Sequence, residues 1–282
     1  MLPDAQRAEK ILFPALSAMQ APPAELTTAL QAALVAPGDP SWSAASDWAA
    51  GEAQQKALEA MRSIGGADKP VAFLHLYGED QVPAEWKSAG LMVDLGTPPL
   101  LAAARFRYLD AMDRLSLVTQ VESTRLADAG KAPDALNLLA DYVLMARLMA
   151  DREFRAEMRW GMDAMAQGFE RIRDVAWNYR DALTDTQIKG VIDRLNAPKL
   201  RLDRLVLPKA DRLAAEQVLE EVFVARQGPD PDKFGATMAR LSAKDRPLML
   251  FGESARWQTA ATGHANTFDT TDAVADVYGG WE

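Results

Sequence analysis

Seven apolar residues between positions 158 and 179 lie on a heptad. Met158, Met162, Met165, Phe169, Ile172, Ala176 and Tyr179 are separated by 4, 3, 4, 3, 4 and 3 residues. An α-helix brings positions so spaced to one side, whereas a strand, with its period of two, would scatter them over both faces. The spacing predicts a helix over about 153–180 whose seam packs against another helix. Composition agrees. The chain holds 51 Ala, 33 Leu and 12 Met, strong helix formers, against only 20 Ile and Val together; β-branched residues are what strands favour. The fold expected is all-α: an irregular helical bundle, or a short tetratricopeptide-like array of helical hairpins, with a poorly ordered C-terminal tail.

Start and stop signals divide the rest. Two short helices are predicted over 4–20 and 24–35, the second with Leu26, Leu30 and Leu34 on one face and a stop at Pro37-Gly38. A third is predicted over about 46–64, burying Trp48, Ala57, Leu58 and Met61. Val71–Tyr77 suits a short strand or a short buried helix, since seven residues do not separate the two. The stretch 78–99, with Pro83, Gly90, Gly96, Pro98 and Pro99, is the most irregular. Thr97 followed by Pro98 reads as a helix start, with the helix running to about Asp128. A second long helix is expected from Pro133, and the third carries the heptad. Thr184–Gln187 forms a capping box, and further helices are expected over about 209–226 and 231–242. From these signals we divide the chain into an N-terminal short-helix region (1–96), a long-helix core region (97–251) and a tail (252–282). Residues 259–282 show no hydrophobic period and read as surface-hugging or disordered.

Several chemistries are excluded. There is no cysteine, hence no disulfide, thiolate nucleophile or iron–sulfur cluster. The two histidines, His75 and His264, lack the glutamate three positions earlier that a di-iron bundle needs. The net charge of −9 opposes phosphate backbones, and the densest basic stretch, Lys199 to Arg212, is diluted by Asp203 and Asp211, so no nucleic-acid binding is expected. No segment has the apolar length of a membrane span. Met1-Leu2-Pro3-Asp4 is not a secretory start, so a full-length product is expected in the cytoplasm; a processed form would fit an exported or periplasmic protein. Leu248–Ala255 is similar to the strand and nucleophile turn of carboxylesterases, but Arg256 replaces the second glycine of G-x-S-x-G and only 28 residues follow Ser254. Gly130-Lys131 lacks the remaining residues of a phosphate loop.

The turn Arg125-Leu126-Ala127-Asp128-Ala129-Gly130-Lys131-Ala132-Pro133-Asp134-Ala135-Leu136 resembles the junction between tetratricopeptide-type helices, where a Gly turn precedes an Ala-Leu pair opening the next helix. It covers about one repeat, with no second copy at 34-residue spacing. Over about 119–225 the chain is also similar to uncharacterised helical proteins abundant in planctomycete bacteria. The matching residues are Leu144–Ala150, Leu207-Pro208 and Glu216, with Leu148-Met149-Ala150 where that group closes on His-Leu-Ala. Both resemblances imply an α-helical fold and supply no activity.

No convergent catalytic set appears and no cofactor is expected, so the leading expectation is a non-enzymatic scaffold or protein-binding protein. Met145, Met149, Met158, Met162 and Met165 could line an adaptable groove, although helix–helix core is the plainer reading. Tyr278 and Trp281 are candidate docking residues in the tail, beside the plainer reading of a frayed end. The alternative is a small-ligand binder or enzyme with a carboxylate-lined site inside the bundle: Asp110, Asp113 and Glu122, with Arg105 or Arg114 nearby.

Overall fold

The computed structural model describes residues 2–80, 82–196, 200–202, 205, 207–224, 227–242 and 254–280. The fold is all-α. Its helices are α1 (Ala8–Ala18), α2 (Ala29–Leu34), α3 (Trp42–Ala50), α4 (Glu52–Gly65), α5 (Ala84–Ser88), α6 (Tyr108–Asp128), α7 (Ala132–Ala150) and α8 (Arg155–Asn178). They continue with α9 (Asp185–Leu195), α10 (Ala210–Val222), α11 (Pro231–Ser242), α12 (Ser254–Ala261) and α13 (Thr267–Gly279). The described strands are two residues each, β1 (Val93–Asp94) and β2 (Arg105–Phe106), paired antiparallel.

The centre of the molecule is α7. It is buried along most of its length, with Asp134 and Asn137 exposed near its start, and α4, α6, α8 and α9 all pack on it. The three-residue turn Ala129–Lys131 sets α6 antiparallel to α7, with the buried Ser116 and Tyr142 hydroxyls 2.6 Å apart between them. α8 returns antiparallel to α7 and therefore parallel to α6. The α6–α8 register is visible at both ends: the Trp160 indole donates to Asp113 at 2.8 Å, and the Arg171 guanidinium donates to Ser123 at 3.2 Å. Gly65 closes α4 on α7, where a Cβ would lie 2.3 Å from the Asp141 carbonyl oxygen. One apolar cluster runs from Ala8 to Ala214. A smaller one joins Leu100 and Ala103 to Val218, Val222, Phe234 and Ala261 of α10, α11 and α12. Arg240 fastens α11 to the turn before α6 by donating to the carbonyls of Leu95 (2.7 Å) and Pro98 (2.6 Å).

Several boundaries differ from those expected. The helix predicted to begin at Thr97 begins at Tyr108. A proline disfavours helical backbone in the residue before it, so Pro99 keeps Pro98 out of the first turn, and the chain instead buries Leu100, Ala103 and Ala104 before the helix starts. The helix expected over 46–64 is broken at Gly51 into α3 and α4, which lets both Trp48 and Leu58 reach the core. In α2, Leu26 is buried upstream of the helix but Leu30 and Leu34 are 68% and 70% exposed; a helix of six residues turns Ala32 inward instead. Val71–Tyr77 is neither regular strand nor helix: Ala72 bridges Arg7, and 73–77 form no regular element. In the tail, α12 and α13 are helical where no regular structure was expected. Asn266 caps α13 by accepting from the Phe268 and Asp269 amides, and no residue of α13 is buried, so it lies on the surface without an apolar face of its own.

Candidate functional site

The heptad on α8 is real, but it is not the face that meets α7. The buried face is offset by one position, Glu157, Gly161, Ala164, Gly168 and Val175, with Met165 the one heptad member buried beside them. Two glycines make the approach possible. A Cβ at Gly161 would lie 2.4 Å from the Ala150 backbone nitrogen, and one at Gly168 would lie 2.5 Å from the Val143 side chain. Backbones that close leave no room for larger side chains, so the methionines and aromatics are turned aside. Met165 is buried and Met158 and Ile172 are half-buried, whereas Met162, Phe169 and Trp177 are 43%, 36% and 70% exposed. On a helix, residues 7 and 8 apart share a side, so these three lie on one side of α8, with Ala166 and the exposed Arg173 between them. Charged residues lie beside and among them: Arg159 with Asp163 at 3.6 Å, Arg173, between Phe169 and Trp177, with Asp174 at 3.0 Å, and Arg180 over the Trp177 ring at 5.4 Å.

The methionines named as a possible groove therefore separate. Met145, Met149 and Met165 are in the core; Met158 is half-buried beside Arg155, Leu207 and Pro208; Met162 alone is on the open stripe. Tyr278 does not hang free: its hydroxyl donates to the Asp211 carbonyl at 3.1 Å, seating α13 on α10. Trp281, like the Leu248–Gly252 run, lies outside the described residues. The five charged candidates do not converge. Asp110 and Arg105 are exposed, Arg114 is half-buried, and Glu122 is buried but held by Arg125 in a two-point ion pair at 2.7 and 2.9 Å. Asp113 and Glu122, nine positions apart on α6, are separated by about 14 Å of helix rise.

Asp113 does line a cleft of about 290 Å³ between the start of α2, α6 and α8, together with Thr27, Thr28, Ser116, Trp160 and Asp163. Burial raises the Asp113 pKa above the usual carboxylate value and Asp110 adds to this, while the Trp160 hydrogen bond opposes it.

Beneath these surfaces lies a polar network that the sequence did not suggest. Glu157 is fully buried at the first turn of α8 and accepts four hydrogen bonds. Tyr108 donates to one oxygen, as does the Arg152 Nε at 3.1 Å; the other accepts from Tyr77 at 2.7 Å and from the Phe154 amide at 3.4 Å. Arg152 also donates to the carbonyls of Phe73 (2.9 Å) and His75 (2.7 Å), and its guanidinium stacks over the Tyr77 ring. This clamp holds the 73–77 segment against α1, α6 and α8. Burial, then the negative charge of Glu157, raises both tyrosine pKa values, so the hydroxyls stay protonated and donate. The His75 ring packs edge-on against Phe13 and Tyr108 and its Nε2 meets no partner; burial, then Arg152 and Arg7, push its pKa down to about 3. With Glu157, Tyr108 and His75 closed to solvent, the network fastens the fold. Its members are scattered from 75 to 157, and the only local signal was an acid placed on the glycine-spaced face of α8.

No protein-family model matches this chain, nor does any curated protein or solved structure. Among the described residues no helix is long and apolar enough to cross a membrane, and no group of three acids or histidines could hold a metal ion.

Proposed function

We propose that the protein is a non-enzymatic helical scaffold that binds a partner protein through the outward face of α8. The observation that carries this reading is the stripe of Met162, Phe169 and Trp177, left open because Gly161 and Gly168 take up the packing against α7. Isolated exposed apolar residues are ordinary, but three large ones on one side of a single helix are a form in which a surface receives another amphipathic helix. A tryptophan and a phenylalanine supply large contact area, methionine adapts its shape, and the Arg/Asp pairs beside them supply polar contacts. The successive antiparallel hairpins α6–α7 and α7–α8 are compatible with a tetratricopeptide-like architecture, a type that works by presenting helix faces.

The test is a double variant, F169E with W177E, compared with the parent chain in affinity capture from its host and in light scattering. The variant should melt at the parent temperature, since both residues are outside the core, and should lose the captured partner, or the dimer if the partner is a second copy. A folded double variant that captures the same proteins and has the same mass overturns the proposal.

A further inference from the structure

The outward residues of α8 carry a symmetry that a single copy does not use. Asp163 and Arg173 stand five residues before and after Gly168, and Arg159 and Trp177 stand nine before and after it. Thirteen residues out are Arg155 and Asp181, the latter in the turn that follows α8. All six are exposed, while Gly168 itself faces inward, where a Cβ would meet the Val143 side chain. Each pair is complementary: acid with base, cation with indole, base with acid. A helix rises about 1.5 Å per residue, so the members of the first pair lie about 15 Å apart along α8 and those of the second about 27 Å. They do not reach one another within the chain. Their neighbours there are exposed: Arg159 is 3.6 Å from Asp163, Asp174 is 3.0 Å from Arg173, and Arg180 lies over the Trp177 ring at 5.4 Å. Exposed contacts of this kind are worth little and exchange readily.

An antiparallel copy of α8, centred on the level of Gly168, brings every pair together, because what stands a given height above the centre in one copy stands the same height below it in the other. Asp163 then faces Arg173, Arg159 faces the Trp177 ring, and Arg155 faces Asp181, each twice. The apolar side chains follow. Phe169 is one residue from the centre, so the two Phe169 rings meet, and Met162 comes level with the aliphatic stem of Arg173. The charge that interrupts the apolar residues between Phe169 and Trp177 is thereby matched. A parallel copy would set Asp163 against Asp163 and Arg173 against Arg173, and nothing about an unrelated partner calls for a mirrored order. We infer that the α8 face receives a second copy of this chain, packed antiparallel about a two-fold axis at the level of Gly168. This rests on the reading of that face as a binding surface and names its occupant. One helix against its copy is a small interface, so the dimer is weak and dissociates on dilution.

Sedimentation equilibrium of the full chain tests this. The parent should show a monomer–dimer equilibrium at micromolar concentrations. D163R and R173D should each weaken it at least about tenfold, since each sets like charges opposite one another. Mixed in equal amounts, the two variants should recover a dimer, as should the double variant, because acid then meets base again across the axis. E59R, the same change of charge at an exposed acid of α4, should leave the equilibrium unchanged. The substituted residues are all exposed, and circular dichroism checks folding. Should a reversal not fold, D163N and R173Q, which remove the charge without reversing it, must weaken the dimer by a smaller factor. A parent that stays monomeric at high micromolar concentration overturns the inference, as does a dimer indifferent to these substitutions or a mixture that fails to recover it. The reading of α8 as a binding face fails separately, when F169E with W177E alters neither the proteins captured nor the mass.

Discussion

At the scale of single residues, the largest energies sit where charge is buried. Glu157 and Arg152 are both taken out of water and hold each other, two tyrosines and two backbone carbonyls. Removing one partner leaves the other charged and unmatched, at a cost of about 3–5 kcal/mol. E157A should therefore lower the unfolding free energy by that amount in urea titration, and E157Q, which keeps the shape and some acceptor capacity, by less; a loss under about 1 kcal/mol for E157A would show that the clamp does not hold the 73–77 segment. His75 makes a separate prediction through pH. Its pKa falls from 6.5 to about 3 on folding, so the unfolded chain takes up a proton that the folded chain refuses. Stability from this group is fully present above pH 6.5 and falls as pH drops toward 3, by up to about 1.4 kcal/mol per pH unit. H75F, which suits the aromatic surroundings of Phe13, Tyr108 and Trp86, should lessen the loss of stability in acid relative to the parent, and parallel pH profiles for the two would contradict this.

At the scale of elements, the tight α7–α8 contact depends on glycine. G161A adds a methyl where the Ala150 nitrogen is 2.4 Å away and the Ala146 carbonyl 2.8 Å, backbone atoms that cannot yield cheaply. Overpacking costs about 1–3 kcal/mol and should outweigh the gain of about 1 kcal/mol that Ala brings to a helix. G190A on the exposed side of α9, where nothing lies within 4 Å, should show that gain uncancelled. Opposite signs in thermal melts are expected; destabilisation by both, or by neither, would mean the α7–α8 approach is looser than described. The same glycines explain what the sequence could and could not reveal. α7 and α8 were legible within a residue or two because their apolar periods are long, and the capping box at Thr184 placed α9 correctly. The inward face of α8 was not legible. The closest helix contacts use the smallest residues, and Gly and Ala barely register in an apolar pattern, so the conspicuous heptad pointed one position away from the interface. The cleft was legible only through Asp113; its partner Trp160 stands 47 residues later, and nothing local in either helix shows that they meet.

At the scale of the whole molecule, stability is unevenly distributed. α7 is enclosed by four helices, while α13 buries none of its residues and α10 to α12 share a small apolar cluster with Leu100 and Ala103. Amide hydrogen exchange should be slowest in α7, proceeding only by global unfolding, and should be faster in α13 through local opening. Equal protection in the two would contradict this gradient. The net charge of −9 gives the surface an excess of acidic groups. We propose the outward side of α8 as the face that the molecule offers to a partner.

That role is tested most directly by placing a photoreactive side chain at position 169 and, as a control, at exposed Lys56 on α4, then irradiating cells of the native host. A discrete cross-linked product is expected from position 169, lost when W177E is added, and none from position 56. No product at 169, or the same products from both positions, would contradict the claim that the protein works through this face.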